Sequence, residues 1–367
     1  MSLPNSMESK EKELRVIAIG GGTGLSTLLR GLKRYVAAPD RRRGIRIERG
    51  PEADVAPSPP CPSPRCVVRE LSAVVTVTDD GGSSGRLRED MQMLPPGDIR
   101  NCMVALSEDE HLLSRLFQFR FEHGDLEGHS FGNLFVAALS HITGDFAQAV
   151  QMSSQILATR GRIFPATNTN VNLAAEMDDG SVVRGETNIT ASKKSIVELR
   201  LEPATADPLP ETLEAIANAD LITLGPGSLY TSLITNLLVR GIPEALAASR
   251  ATKVYVCNLM TQANESLGLT ASQHIEKIMQ HAVGADSPIF DYALINTGAI
   301  STSRLAQYAR EGQEPIVADL ERVRALGVEP VTGDFVHEGD VLRHDYDRVA
   351  ERVLSLGLER MTPMLTR

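Results

Sequence analysis

Leu14-Arg15-Val16-Ile17-Ala18-Ile19-Gly20-Gly21-Gly22-Thr23-Gly24-Leu25 is the stretch that decides the fold. A short apolar, largely β-branched run opens directly into a glycine cluster, and Leu25 to Tyr35 then spaces Leu28, Leu29 and Leu32 on one helical face. The reading is a buried strand, a tight turn and a helix. The same order returns at Leu71 to Thr78 before Asp79-Asp80-Gly81-Gly82, and at Leu221 to Leu224 before Gly225-Pro226-Gly227-Ser228. Val254 to Cys257 and Tyr292 to Ile295 also end in polar turns. Repeated strand, turn and helix units predict an α/β fold with a doubly wound, mostly parallel sheet that carries helices on both faces. Such sheets bind ligands at the carboxyl ends of their strands, where these turns converge.

Helical spacing recurs at Leu112 to Phe119, Leu134 to Ile142, Phe146 to Leu157, Ser228 to Val239, Ser272 to His281 and Tyr346 to Leu356. A small β excursion is expected at about 162–201, with Asp178-Asp179-Gly180 as the hairpin turn between Leu173 to Met177 and Ser181 to Gly185. Residues 14–357 read as a single domain, after a tag and flexible N-terminus at 1–13 and before a tail at 358–367. Residues 37–66 interrupt it with seven prolines and with arginines at 41, 42, 43, 46 and 49, a composition suited to a solvated surface insertion. Its arginines are also the candidate contact for an acidic protein partner.

With 367 residues, 42% of them hydrophobic, the chain can bury a sizeable core. A net charge of -10 argues against a nucleic-acid or anionic-membrane surface and favours small metabolites. No apolar run approaches the roughly 20 residues of a membrane span and the N-terminus lacks a signal-peptide core, so no membrane span and a cytoplasmic location are expected. Cys61 and Cys66 lack a second pair to complete a zinc site, while Cys102 and Cys257 read as buried thiols.

Gly21, Gly22, Thr23 and Gly24 stand where backbone N–H groups and a helix N-terminus can approach phosphate oxygens, although the loop lacks the third Rossmann glycine and the P-loop lysine. A glycine turn serving only close packing is the alternative. Gly225, Gly227, Ser228 and Thr231 repeat the arrangement, with Ser228 as a helix N-cap, and two such loops suit a diphosphate. In Asp79-Asp80-Gly81-Gly82-Ser83-Ser84-Gly85-Arg86 the paired acids suit Mg²⁺ or ribose hydroxyls, Arg86 suits phosphate, and Gly82, Ser83 and Ser84 complete a polar loop. Gly128-His129-Ser130-Phe131-Gly132 has the spacing of a nucleophile elbow, but Glu122 to Gly128 is too polar for the buried strand such an elbow needs. That leaves a capped helix start, with His129 open as a general base and Asn133 as a ligand contact. Asn258 ends a strand with an amide suited to sugar hydroxyls or a base edge. No catalytic residue is singled out.

These motifs, together with Pro95-Pro96-Gly97-Asp98-Ile99-Arg100-Asn101, Asn258-Leu259-Met260-Thr261-Gln262, Glu311-Gly312-Gln313-Glu314-Pro315 and Arg343-His344-Asp345, resemble the gluconeogenesis-factor branch of the 2-phospho-L-lactate transferase-like family. The resemblance covers about Leu14 to Tyr35 and Val67 to Leu356, and the 37–66 stretch departs from it. It implies a Rossmann-like fold, often dimeric, that binds a nucleotide sugar of the uridine-diphosphate class, such as UDP-N-acetylglucosamine, and supports cell shape and cell-wall synthesis during gluconeogenic growth. A cell-wall or kinase protein partner is a further expectation. In the transferase branch the family moves a 2-phospholactyl group from a guanosine diphosphate carrier to a deazaflavin with Mg²⁺, which is the alternative for this chain.

Overall fold

The computed structural model describes residues 13–37, 67–108, 112–263, 265–282 and 289–361. Its strands are β1 (Leu14–Gly20), β2 (Val68–Val75), β3 (Arg162–Pro165), β4 (Asn172–Met177), β5 (Val182–Arg184), β6 (Ile196–Glu202), β7 (Leu221–Leu224), β8 (Thr252–Val256), β9 (Tyr292–Asn296), β10 (Glu329–Gly333), β11 (Val336–Glu338) and β12 (Leu342–His344). Its helices are α1 (Gly22–Lys33), α2 (Gly82–Met91), α3 (Gly97–Leu106), α4 (Leu112–Gln118), α5 (Phe131–Thr143), α6 (Phe146–Ile156), α7 (Glu186–Ala191), α8 (Pro210–Asn218), α9 (Thr235–Leu237), α10 (Ile242–Ala248), α11 (Ala271–His281), α12 (Thr302–Arg310), α13 (Leu320–Ala325) and α14 (Tyr346–Met361).

Seven strands form the main sheet in the order β10-β9-β8-β7-β1-β2-β3, and every pairing in it is parallel. Parallel strands covered by helices on both faces need apolar side chains on both. The central strands meet that need: every residue of β7 is buried, and in β1 only Arg15 is not fully so, because it pairs with Asp220 at 3.1 Å. The order is that of a doubly wound sheet: the chain fills β1, β2 and β3 to one side, then returns across β1 to start β7 on the other. Helix α1 packs on α3 and α14, and Gly31 allows the last contact, since a Cβ there would strike the Tyr346 carbonyl.

Several boundaries differ from the sequence reading. Strand β2 begins at Val68 and stops at Val75, which pairs with Gly20 and Pro165, the last residues of β1 and β3. Beyond it Thr76 to Thr78 have no partner strand left, whatever their β-branched preference. Residues 162–165 belong to the main sheet as its edge strand, so the β excursion starts at β4; its antiparallel order is β5-β4-β6, and the Asp178 to Gly180 turn forms as expected. The helix expected from Ser228 begins as a π-helical turn over Leu229–Ile234, where the Thr235 hydroxyl takes the Tyr230 carbonyl at 2.8 Å. Helix α14 continues to Met361, held by an Arg360–Asp291 ion pair at 2.7 Å, so the expected tail starts later. Apart from Ala37, the insertion lies outside the described residues, which resume at Val67; the neighbouring backbone meets across it, Val68 N–H donating to the Tyr35 carbonyl at 3.0 Å. Cys61 and Cys66 fall in the same undescribed stretch; Cys102 and Cys257 are buried free thiols. No helix among the described residues is long and apolar enough to cross a membrane.

Candidate functional site

The chain reverses its direction across the sheet between β1 and β7, and a doubly wound sheet opens a crevice beyond the strand ends at such a point. The two glycine loops form its floor. Gly22 and Gly225 hold φ of 62° and 85°, in the left-handed region that glycine reaches without penalty. Gly24 lies so close to the other loop that a Cβ would meet the Pro226 carbonyl, which ties the two turns into one platform.

Above this platform is a cavity of about 430 Å³. Gly21, Gly22, Thr23, Gly24, Gly227 and Ser228 line its base, Asp79, Asp98 and Glu186 one wall, and Asn258, Gln262, Tyr308, Arg343 and His344 the other. The amides brace the second loop: Asn258 Oδ1 accepts from Gly227 N–H at 3.4 Å, and Gln262 Nε2 donates to Ser228 Oγ at 2.9 Å. Ser228 therefore stands at the helix start without capping it through its side chain.

The acidic wall sets the local charge. Asp98, brought by α3, accepts the Gly22 N–H on Oδ2 at 2.6 Å, so one of the loop's anion-seeking donors already holds an anion. Loss of water pushes the Asp98 carboxyl up to about 6 against that hydrogen bond, with Asp79 adding to the rise. Glu186, from α7, is pushed up to about 9 by burial and then by Asp79 and Asp98, while the Thr78 hydroxyl opposes at 3.2 Å. At neutral pH Glu186 is a carboxylic acid with a proton to donate. Across the cleft, burial holds the His344 imidazole down to about 4, and its Nε2 lies 3.1 Å from the Cys257 carbonyl, which fits a neutral ring protonated there.

The other residues singled out in the sequence lie off this cleft. Asp80 turns away from Asp79 and accepts from the Thr187 N–H at 2.8 Å and hydroxyl at 2.5 Å, pinning α7 to the loop. The two carboxylates thus face different partners, Asp79 on the cleft and Asp80 on α7, and among the described residues no group of three or more His, Cys, Asp or Glu side chains is arranged to hold a metal ion. Thr231 turns to Glu265 at 2.9 Å, and Gly225 supports its loop from behind, where a Cβ would meet the Val256 carbonyl and Leu233. Ser83, Arg86 and Asn133 form a separate cluster around α2 and α5: Ser83 Oγ meets His129 Nδ1 and accepts from Asn133 Nδ2, both at 3.1 Å, and Arg86 donates to the Glu127 carbonyl at 2.7 Å, while Gly82 opens α2 and Ser84 packs on Gly97 of α3. Ser130 is the buried N-cap of α5, accepting from Asn133 N–H at 3.1 Å, which is the capped helix start and not a nucleophile elbow.

Residues 16–336 match the profile of the CofD family, described as 2-phospho-L-lactate transferase CofD. A gluconeogenesis factor from Halalkalibacterium halodurans is 46% identical over 346 residues, 94% of this chain and 96% of that protein. A Bacillus subtilis gluconeogenesis factor is 43% identical over 344 residues, 93% of this chain and 98% of the relative. The chain belongs to the gluconeogenesis-factor branch of the CofD family. A solved structure of a UPF0052-family protein from Bacillus halodurans superposes with a TM-score of 0.81 at 46% identity, over 94% of this chain and 99% of that one. Branch membership and fold thus agree with the reading of the motifs. The cleft adds Asp98, Glu186, Tyr308, Arg343 and His344 to the residues picked for their chemistry. Asp98, Arg343 and His344 had entered only within quoted family motifs, and Glu186 had no local signal at all.

Proposed function

We propose that this gluconeogenesis-factor-branch protein is a cytoplasmic regulator that binds a nucleotide sugar of the UDP-N-acetylglucosamine class and supports cell shape and cell-wall metabolism during gluconeogenic growth. The observation that carries the binding step is the joined pair of glycine loops at the β1/β7 reversal, a surface of backbone N–H groups suited to a diphosphate. Asn258 and Gln262 supply amides for sugar hydroxyls, and Tyr308 a ring for a base or sugar face. The relatives' name, gluconeogenesis factor, supports the physiology.

The alternative, Mg²⁺-dependent transfer from a GDP-linked donor to a deazaflavin, draws support from the family description alone. Tyr308 and the His344 imidazole are the only rings on the described cleft wall, a narrow platform for a deazaflavin. Calorimetric titration with UDP-N-acetylglucosamine and with GDP, each with and without Mg²⁺, separates the two. Saturable UDP-sugar binding with the ligand recovered intact fits the regulator; preferential Mg²⁺-dependent GDP binding fits the transferase. The proposal extends to a homodimer, for which exposed Leu112, Leu116, Phe119 and Ile142 on and beside α4 and α5 offer apolar surface, and sedimentation equilibrium measures it. A cell-wall or kinase protein partner would meet the 37–66 insertion, and its removal should then abolish that contact.

A further inference from the structure

Away from the cleft, the turn that opens α5 is crossed by three arginines. Arg86 lays its guanidinium over Gly128, where a Cβ would stand 3.1 Å from Nη2. Arg120 donates to the Gly128 carbonyl and faces Ser130 across an antiparallel bridge. The stem of Arg100, from α3, fills the space beside Gly132, where a Cβ would come 2.8 Å from its Cδ. His129 sits among them. The glycines of the Gly128-His129-Ser130-Phe131-Gly132 motif thus admit arginine side chains at close range.

Their charges act on one another. Burial, then Arg86, holds the His129 imidazole below its ordinary value; Arg120 pulls the same way and Asp90 opposes. Burial lowers the Arg100 guanidinium and Arg120 lowers it further, against Asp98 and Asp79. Elsewhere Arg15, Arg34, Arg162 and Arg348 each close on a carboxylate, whereas among the described residues Arg86, Arg100 and Arg120 have none at ion-pair distance. Each guanidinium keeps donors to spare: Arg100 Nη2 donates to Asn101 Oδ1 at 2.7 Å, while its Nε is buried without a partner. The N-termini of α2 and α5 add the same sign where Ser130 N–H reaches Ser83 Oγ at 3.4 Å. Cations that act on one another without a carboxylate at ion-pair distance, beside two helix starts, are stabilised by an anion with several acceptor oxygens.

We propose that Arg86, Arg100, Arg120 and His129 form a second anion site, distinct from the glycine cleft, that takes the phosphate group of a small phosphorylated metabolite. It stands independently of the nucleotide-sugar reading. If the arginines served only to hold the carbonyls of Glu127 and Gly128, no anion would bind.

The test is an NMR titration of the full-length protein with inorganic phosphate and, as control, acetate, following the His129 imidazole signal assigned through His129→Gln. Phosphate should saturate and raise the apparent pKa of His129, with acetate far weaker. Arg120→Gln, at an exposed position, should weaken phosphate roughly tenfold or more, while UDP-N-acetylglucosamine affinity stays within about twofold because Arg120 bonds to Gly128 and faces Ser130, neither of which lines the cleft. Arg86→Gln provides a second variant should the first unfold. An unmoved His129 signal, equal response to acetate, full phosphate affinity in both variants, or displacement of phosphate by the UDP-sugar would each overturn the proposal. Absence of UDP-sugar binding alone would count against the nucleotide reading and leave the phosphate result standing.

Discussion

At Asp98 the chain puts its own carboxylate on a donor that a phosphate loop would otherwise leave open. The cost of that placement is pH-dependent. A carboxyl raised from 3.8 to about 6 binds more proton folded than unfolded between those values, so its contribution to stability falls as pH rises through that window. Glu186, raised from 4.5 to about 9, extends the loss upward. Asp98→Asn keeps an acceptor for Gly22, so it should raise Tm, by more at pH 8 than at pH 4; an equal gain at both would contradict the placement. A diphosphate arriving beside these acids favours their protonated forms, so binding should take up protons between pH 6 and 8 and weaken as pH rises. Calorimetry in buffers of different ionisation enthalpy reads this directly, and proton release would be the opposite result. Asp80 makes a separate prediction. Asp80→Ala frees Thr187 and the start of α7, and urea denaturation should show a loss of about 1–3 kcal/mol, the scale of hydrogen bonds to a charged group.

Among the elements, the short ones that carry the site show what sequence can and cannot disclose. The turns after β1 and β7 were legible because strand, glycine loop and helix are neighbours in the chain, and their glycines have local reasons: a positive φ at Gly22 and Gly225, a near contact at Gly24. Glu186 was not legible, because α7 reaches the cleft only through the folding of the β excursion and the tertiary hydrogen bond from Thr187 to Asp80. Tyr308 and Arg343 likewise arrive from α12 and β12, with nothing in their own neighbourhoods to mark them. That Asp79 lines the cleft while its neighbour Asp80 holds Thr187 was not legible for the same reason: residues adjacent in sequence face different partners. Gly24→Ala would drive a Cβ into the Pro226 carbonyl, and such overpacking should destabilise the protein by roughly 1–3 kcal/mol while separating the two loops. UDP-sugar affinity should fall with it; unchanged affinity would mean the loops act separately. Ser130→Ala removes the α5 cap and should cost about 1 kcal/mol in thermal stability, with no activity lost that a nucleophile would carry.

Over the whole molecule, the parallel sheet was readable from repeated local units, since apolar runs covered on both faces need no distant information. Where each strand stops was not, because the end of β2 is set by the ends of β1 and β3 beside it. The same long-range order places the reversal between β1 and β7, and with it the cleft on which the functional account rests. A crystal structure of the protein with UDP-N-acetylglucosamine tests that account most directly. It predicts the diphosphate between Gly21 to Gly24 and Gly227 to Ser228, within hydrogen-bond distance of their N–H groups and with the sugar bond intact; a ligand bound elsewhere, or cleaved in the cleft, would contradict it.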